Sequence, residues 1–342
     1  MSLLRKITIF STLSLLLSLC FATLASANDP LVFVSIAPQR YFVEQIAGDT
    51  VDVEIMVEPG ASPATYEPKP HQMAMLAKAD LYLAIGVPFE RTWLPRLQEA
   101  NPNLKIVHID KGLRKIPMAG NALDIDAGPR IAFLQEHKPD EIQAENNEHN
   151  HNHGNESAHD HGNEAAHDHK AHSHKGSLDP HVWLSPRWVK YMSNNMRKEL
   201  MKIAPEHAKQ YRINYRAFSK RLDELDKEIT ALFKPIPPEK RAFMTFHPSW
   251  GYYAMTYNLI QIPIEFEGKA PTPRVLMQIA EIAKKRNLRT IFVQPQFSTA
   301  SATAIANTID GNVVEADPLA ENWEENLRLV SKKLVTSFIL VE

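Results

Sequence analysis

Between Glu145 and Gly176 the chain carries nine of its fifteen histidines (His149, His151, His153, His159, His161, His167, His169, His172 and His174) and not one Val, Ile, Leu, Phe, Trp or Tyr. A segment with no large apolar side chain has nothing to bury against the entropy of ordering its backbone. It is expected to be disordered and to divide the folded remainder into two parts. Neutral imidazoles suit zinc, copper and nickel, and the interleaved Glu148, Glu156, Asp160, Glu164 and Asp168 keep the tract soluble and raise the local cation concentration. The blander alternative is a solvated linker whose histidines meet metal only incidentally.

The N-terminus reads Arg5-Lys6, an uncharged Leu-rich run from Ile7 to Leu24, and then Ala25-Ser26-Ala27. This is the pattern of a secretory signal cleaved after Ala27, which places the mature protein outside the cytoplasm, in the periplasm. About 20 apolar residues could also serve as a retained anchor, but the serines within the run and the small residues at its end favour cleavage. Leu19 stands before Cys20 where a lipidated cysteine usually follows a small residue, so no lipid anchor is expected. Cys20 is the only cysteine, and the exported chain must therefore hold together by core burial without an internal disulfide. A formal net charge of -2 argues against a nucleic-acid partner.

Apolar runs at Leu31 to Ile36, Val51 to Val57, Leu81 to Ile85 and Lys105 to Ile109 alternate with helical stretches at Tyr41 to Ala47, His71 to Ala79 and Glu90 to Glu99. Strand, helix, strand at this spacing predicts a parallel sheet. After the tract, Ser185-Pro186 starts a helix carrying Trp188, Met192, Met196 and Leu200. From Pro205 to about Phe233 a stripe of Tyr211, Tyr215, Phe218, Leu222, Leu225, Ile229 and Leu232 predicts a helix of about 45 Å. That stripe suits either a coiled-coil dimer or one helix packed along two lobes. The intramolecular reading is preferred because strand–helix signals resume at once with strands at Ala242 to Phe246, Ile260 to Ile264, Thr290 to Val293 and Asn312 to Ala316. The expected division is a signal over 1–27, a first α/β lobe over 28–144, the histidine tract over 145–176, a motif segment and helix over 177–204, a linking helix over 205–234 and a second α/β lobe over 235–342. Two such lobes leave a cleft where the loops at the carboxyl ends of both sheets converge.

His181, His247 and Asp317 fall where loops should face that cleft. Pro180 and Pro186 flank His181, Pro248 biases His247 toward extended backbone, and Asp317 ends the last strand before Pro318. Two imidazoles and a carboxylate make a partial shell for a first-row divalent ion. Each residue also has an ordinary structural use: a turn cap, a hydrogen bond to a carbonyl, a helix cap.

The segments Tyr66-Glu67-Pro68-Lys69-Pro70, Asp179-Pro180-His181-Val182-Trp183-Leu184-Ser185-Pro186, Phe246-His247-Pro248-Ser249-Trp250-Gly251-Tyr252-Tyr253, Gln294-Pro295-Gln296-Phe297-Ser298 and Asp317-Pro318-Leu319 resemble the zinc- and manganese-specific solute-binding proteins of ABC transporters, of ZnuA and TroA type. The likeness runs in order through the whole mature chain and includes a histidine-rich loop before the Asp-Pro-His motif. It implies a monomeric extracytoplasmic receptor that holds Zn²⁺, or Mn²⁺, in the cleft and passes it to a membrane permease. His181, His247 and Asp317 would be ligands, and no catalysis is implied. The family's first ligand histidine would stand at position 64, which is Ala64 here. His71, Glu67, a water or a bidentate Asp317 could take its place, and Gln294 stands where many relatives have Glu. Two other classes fit parts of the pattern: a metal buffer or adhesin acting through the histidine tract, and a zinc hydrolase with Glu67 or Glu265 as base.

Overall fold

The computed structural model describes residues 29–118, 178–265 and 271–339. The expected signal at 1–27 and the histidine tract, with its nine histidines, lie outside these residues. The first lobe runs β1 (Leu31–Val34), α1 (Ala37–Ala47), β2 (Asp52–Ile55), α2 (Pro70–Leu76), β3 (Leu81–Ala84), α3 (Pro88–Ala100) and β4 (Lys105–His108). A 3-10 turn at Val182–Leu184 leads into α4 (Pro186–Ile203) and α5 (Ala208–Phe233). The second lobe runs β5 (Ala242–Thr245), α6 (Gly251–Tyr257), β6 (Ile260–Pro263), α7 (Pro273–Lys285), β7 (Thr290–Val293), α8 (Ala300–Thr308), β8 (Asn312–Glu315) and α9 (Trp323–Ile339).

Both sheets are parallel and wound alike, in the orders β2-β1-β3-β4 and β6-β5-β7-β8. The chain is thus two repeats of one α/β plan, as the sequence predicts. β3 and most of β1 are buried on both faces, which is why they read as unbroken apolar runs rather than alternating ones. Pro38, Pro70, Pro88, Pro186 and Pro273 each sit in the first turn of a helix, where a missing N–H has no intrahelical partner to lose.

The linking helix starts three residues later than the expected Pro205. Pro205–His207 forms a 3-10 turn and the α-helix begins at Ala208, while Phe233 rather than Leu232 is the buried residue at its far end. The helix packs on α1 of the first lobe, on α4, and on α6 and α9 of the second. One continuous core therefore joins the lobes, running from β1 and β3 through α4 and α5 to Phe243, Phe292, Trp323 and Leu327. A second, smaller cluster lies on the other face of the second sheet, where Met244, Ile291 and Val293 meet Ile279, Ala283 and Ile305. The alternation of Phe243 with Met244 between these clusters is the two-residue period of a strand. Helix α9 closes the second lobe after β8. Its N-terminal end reaches back to the first lobe: the Tyr41 hydroxyl donates to Glu324 at 2.8 Å, and Arg40 pairs with Glu321, two residues ahead of the helix, at 3.3 Å. Among the described residues no helix is long and apolar enough to cross a membrane.

Candidate metal centre

The carboxyl ends of β6, β5, β7 and β8 lie side by side, so the residues that follow them form a row. Thr245 is opposite Pro263 on one side and Phe292 on the other. Two residues further on, His247 accordingly meets Glu265 and Gln294. Its Nδ1 is 2.5 Å from Oε2 of Glu265, which is almost fully buried. The Gln294 side chain clamps the His247 backbone: Oε1 accepts from the His247 N–H at 3.1 Å, and Nε2 donates to the His247 carbonyl at 2.8 Å and to Thr245 Oγ1 at 3.0 Å. A glutamate at position 294 could not donate to that carbonyl, so the amide has a positive role beyond removing a charge. Phe297 stacks on the His247 ring with centroids 4.9 Å apart.

His181 approaches from the segment between the lobes, with its ring centroid 5.4 Å from that of His247. Asp179 Oδ1 accepts the His181 backbone N–H at 2.9 Å and lies 2.7 Å from its Nδ1. Each imidazole is thus held through Nδ1 by a buried carboxylate. The ring nitrogen left to bind a cation is Nε2 in both, the tautomer that a metal-ligating histidine with an outer carboxylate adopts. Burial lowers the pKa of His181 below its ordinary value, and the neighbouring Asp179 opposes this only in part. The ring is therefore neutral and ready for metal at neutral pH. Glu265 is the site residue whose role sequence reasoning missed, although its place was readable: it stands as far beyond β6 as His247 does beyond β5.

Asp317 is placed differently. It follows β8, and β7 lies between β8 and β5, so it is two strand spacings, about 9–10 Å, along the row from His247. Its Oδ1 accepts from Gln296 Nε2 at 3.0 Å and from the Leu319 N–H at 2.9 Å. The structure brings together His181 and His247 with their two carboxylates. Among the described residues no group of three or more His, Cys, Asp or Glu is arranged to hold a metal ion. Ala64 and Glu67 are exposed on the first lobe. His71 lines a cavity of about 190 Å³ with Arg40, Glu54 and Glu58, which neither of the paired histidines enters.

The described residues on either side of positions 119–177 meet beside this centre. Pro117 and Leu178 form an antiparallel bridge, and the Asp179 N–H donates to the Ile116 carbonyl at 2.9 Å. Positions 119–177, which include the tract, are thus bracketed by described residues that are joined next to Asp179.

The model of the family "Zinc-uptake complex component A periplasmic", ZnuA, matches residues 32–336. A crystal structure of ZnuA shares 35% identity with a TM-score of 0.72, covering 91% of this chain and 100% of that one. The high-affinity zinc uptake system protein ZnuA of Bacillus subtilis is 27% identical over 83% of this chain and 77% of its own length. The zinc-binding protein AdcA of Streptococcus pyogenes is 25% identical over 87% of this chain but 52% of its own, so the chain spans about half the length of that relative. With a family model matched over residues 32–336 and a ZnuA structure 35% identical over 91% of the chain's length, this protein belongs to the ZnuA family.

Proposed function

We propose that this protein is an extracytoplasmic receptor that captures a divalent metal ion, chiefly Zn²⁺, and delivers it to the membrane permease of an ABC transporter. The observation that carries this reading is the pairing of His181 and His247, rings 5.4 Å apart, each oriented by its own buried carboxylate. Two imidazole nitrogens favour zinc over the harder Mn²⁺. Asp317, two strands along the row, would add a carboxylate by exchanging its Gln296 partner for the cation. The tract acts as a low-affinity collector. Carried between Pro117 and Leu178, which are bridged to each other, it would keep loosely bound ions at high effective concentration near the centre. Capture and release need no covalent step, and Glu265 is engaged by His247 rather than offered to a water.

The test is a zinc titration against a competing chelator, using the chain lacking residues 145–175 alongside its His181→Ala variant. One tight site is expected in the former and none in the latter. The same titration fixes the pH dependence. Protons compete with zinc for His181 only in the acid range, because burial holds its pKa below the ordinary 6.5. Affinity should therefore be level above neutrality and fall only once the pH drops below about 6.5. Affinity undiminished at pH 5, or a tight site surviving His181→Ala, would remove the histidine pair from the account.

A further inference from the structure

Gly251 opens α6 with ordinary backbone angles, so its conformation does not require glycine. What requires it is a neighbour. A Cβ at this position would lie 2.3 Å from Oδ2 of Asp179, well inside contact distance, while its other neighbours, Asp179 Cγ and Ile116 Cδ1, would be an ordinary 3.6 Å away. Asp179 has no room to yield. It is completely buried, Oδ1 is committed to both the backbone N–H and the Nδ1 of His181, and Oδ2 makes no hydrogen bond of its own. Its backbone is pinned as well: its N–H donates to the Ile116 carbonyl, and its carbonyl accepts from the Tyr252 hydroxyl at 3.2 Å. That hydroxyl in turn accepts the Ile116 N–H at 3.1 Å. Moving Oδ2 away from position 251 must rotate the carboxylate and take Oδ1 off the imidazole.

We propose that Gly251 is a positioning residue for metal capture: by leaving space for Oδ2, it keeps Asp179 seated against His181 Nδ1, so that Nε2 is the nitrogen presented to the cation. Such a residue touches neither metal nor ligand and acts through one carboxylate. The inference rests on the receptor reading above, but its failure can be told apart from the failure of that reading.

The experiment is a double-mutant cycle on the full chain. Zinc affinity is measured by chelator competition and followed by tryptophan emission, since Trp183 lies 5.1 Å from the His181 ring; His181→Ala serves as the blank. Gly251→Ala is expected to weaken zinc binding by about 10- to 100-fold, the range for losing a ligand's outer partner. Asp179→Ala should weaken it similarly, and adding Gly251→Ala to Asp179→Ala should change affinity less than about twofold. The double variant also relieves the steric conflict, so a Gly251→Ala protein that folds poorly should regain its thermal stability there. The imidazole ¹⁵N spectrum of the metal-free protein supplies a readout that a purely structural role would not move: the Nδ1-protonated form of His181 should be lost in Gly251→Ala. Wild-type affinity in Gly251→Ala, or an equal loss with and without Asp179, would overturn the proposal. A wild-type signal identical to that of His181→Ala would overturn the receptor reading, and this inference with it.

Discussion

Trp183→Ala is expected to lower folding stability by about 3–5 kcal/mol, the cost of removing a large aromatic ring from a packed core. Trp183 is 1% exposed and ties three parts of the molecule together. Its indole N–H donates to the Pro318 carbonyl at 2.7 Å, beyond β8, and its own carbonyl accepts the Trp323 indole N–H at 2.8 Å, at the start of α9. Trp323 in turn packs edge-on against Phe42 of α1 at 5.1 Å. Truncation leaves a cavity where the lobes share their core and an unpartnered carbonyl beside Asp317. Trp183→Phe keeps a six-membered ring but loses the donor and part of the indole volume, so it should cost less than the alanine variant, about 1–3 kcal/mol. Urea unfolding of the metal-free variants measures both. A loss under about 1 kcal/mol for the alanine variant would mean that the lobes are joined elsewhere.

His247→Ala carries the largest expected effect on binding. Zinc affinity should fall by more than the roughly 10- to 100-fold that attends loss of an outer partner, because a ligand itself is removed. Glu265→Gln should fall within that smaller range: an amide can still accept from Nδ1, but it lacks the charge that strengthens the ring as a donor to metal. The order His247→Ala below Glu265→Gln below wild type, read by chelator competition, is the signature of a carboxylate acting through an imidazole. Equal losses would make Glu265 a ligand in its own right. His247→Ala also takes a partner from buried Glu265, so the metal-free variant should be less stable than wild type by about 1–3 kcal/mol.

Much of the architecture was legible because the strands are short apolar runs and the helices open on proline. Both sheets, and the repeat between them, follow from that punctuation. Less legible was the start of α5: the stripe from Tyr211 onward is sound, but Pro205 at its head favours a tighter turn that no periodicity reports. For the site, His181 and His247 stand out through the prolines around them. Glu265 was weighed only as a general base, because its meaning depends on which strand lies beside β5. Once β6 and β5 are paired with Ala242 opposite Ile260, the partnership with His247 follows from counting. The same counting shows what spacing alone concealed about Asp317, since β7 intervenes between its strand and that of His247. Gly251 was invisible for a different reason: its requirement is set by Asp179, more than seventy positions away in the chain and adjacent only in the folded protein.

The most direct test is an anomalous-difference map from crystals of the full chain grown with one equivalent of zinc. A single strong peak about 2.0–2.1 Å from Nε2 of both His181 and His247 is the result this account requires. A peak bound by only one of them, or zinc held solely by the histidine tract with the pair unoccupied, would contradict it.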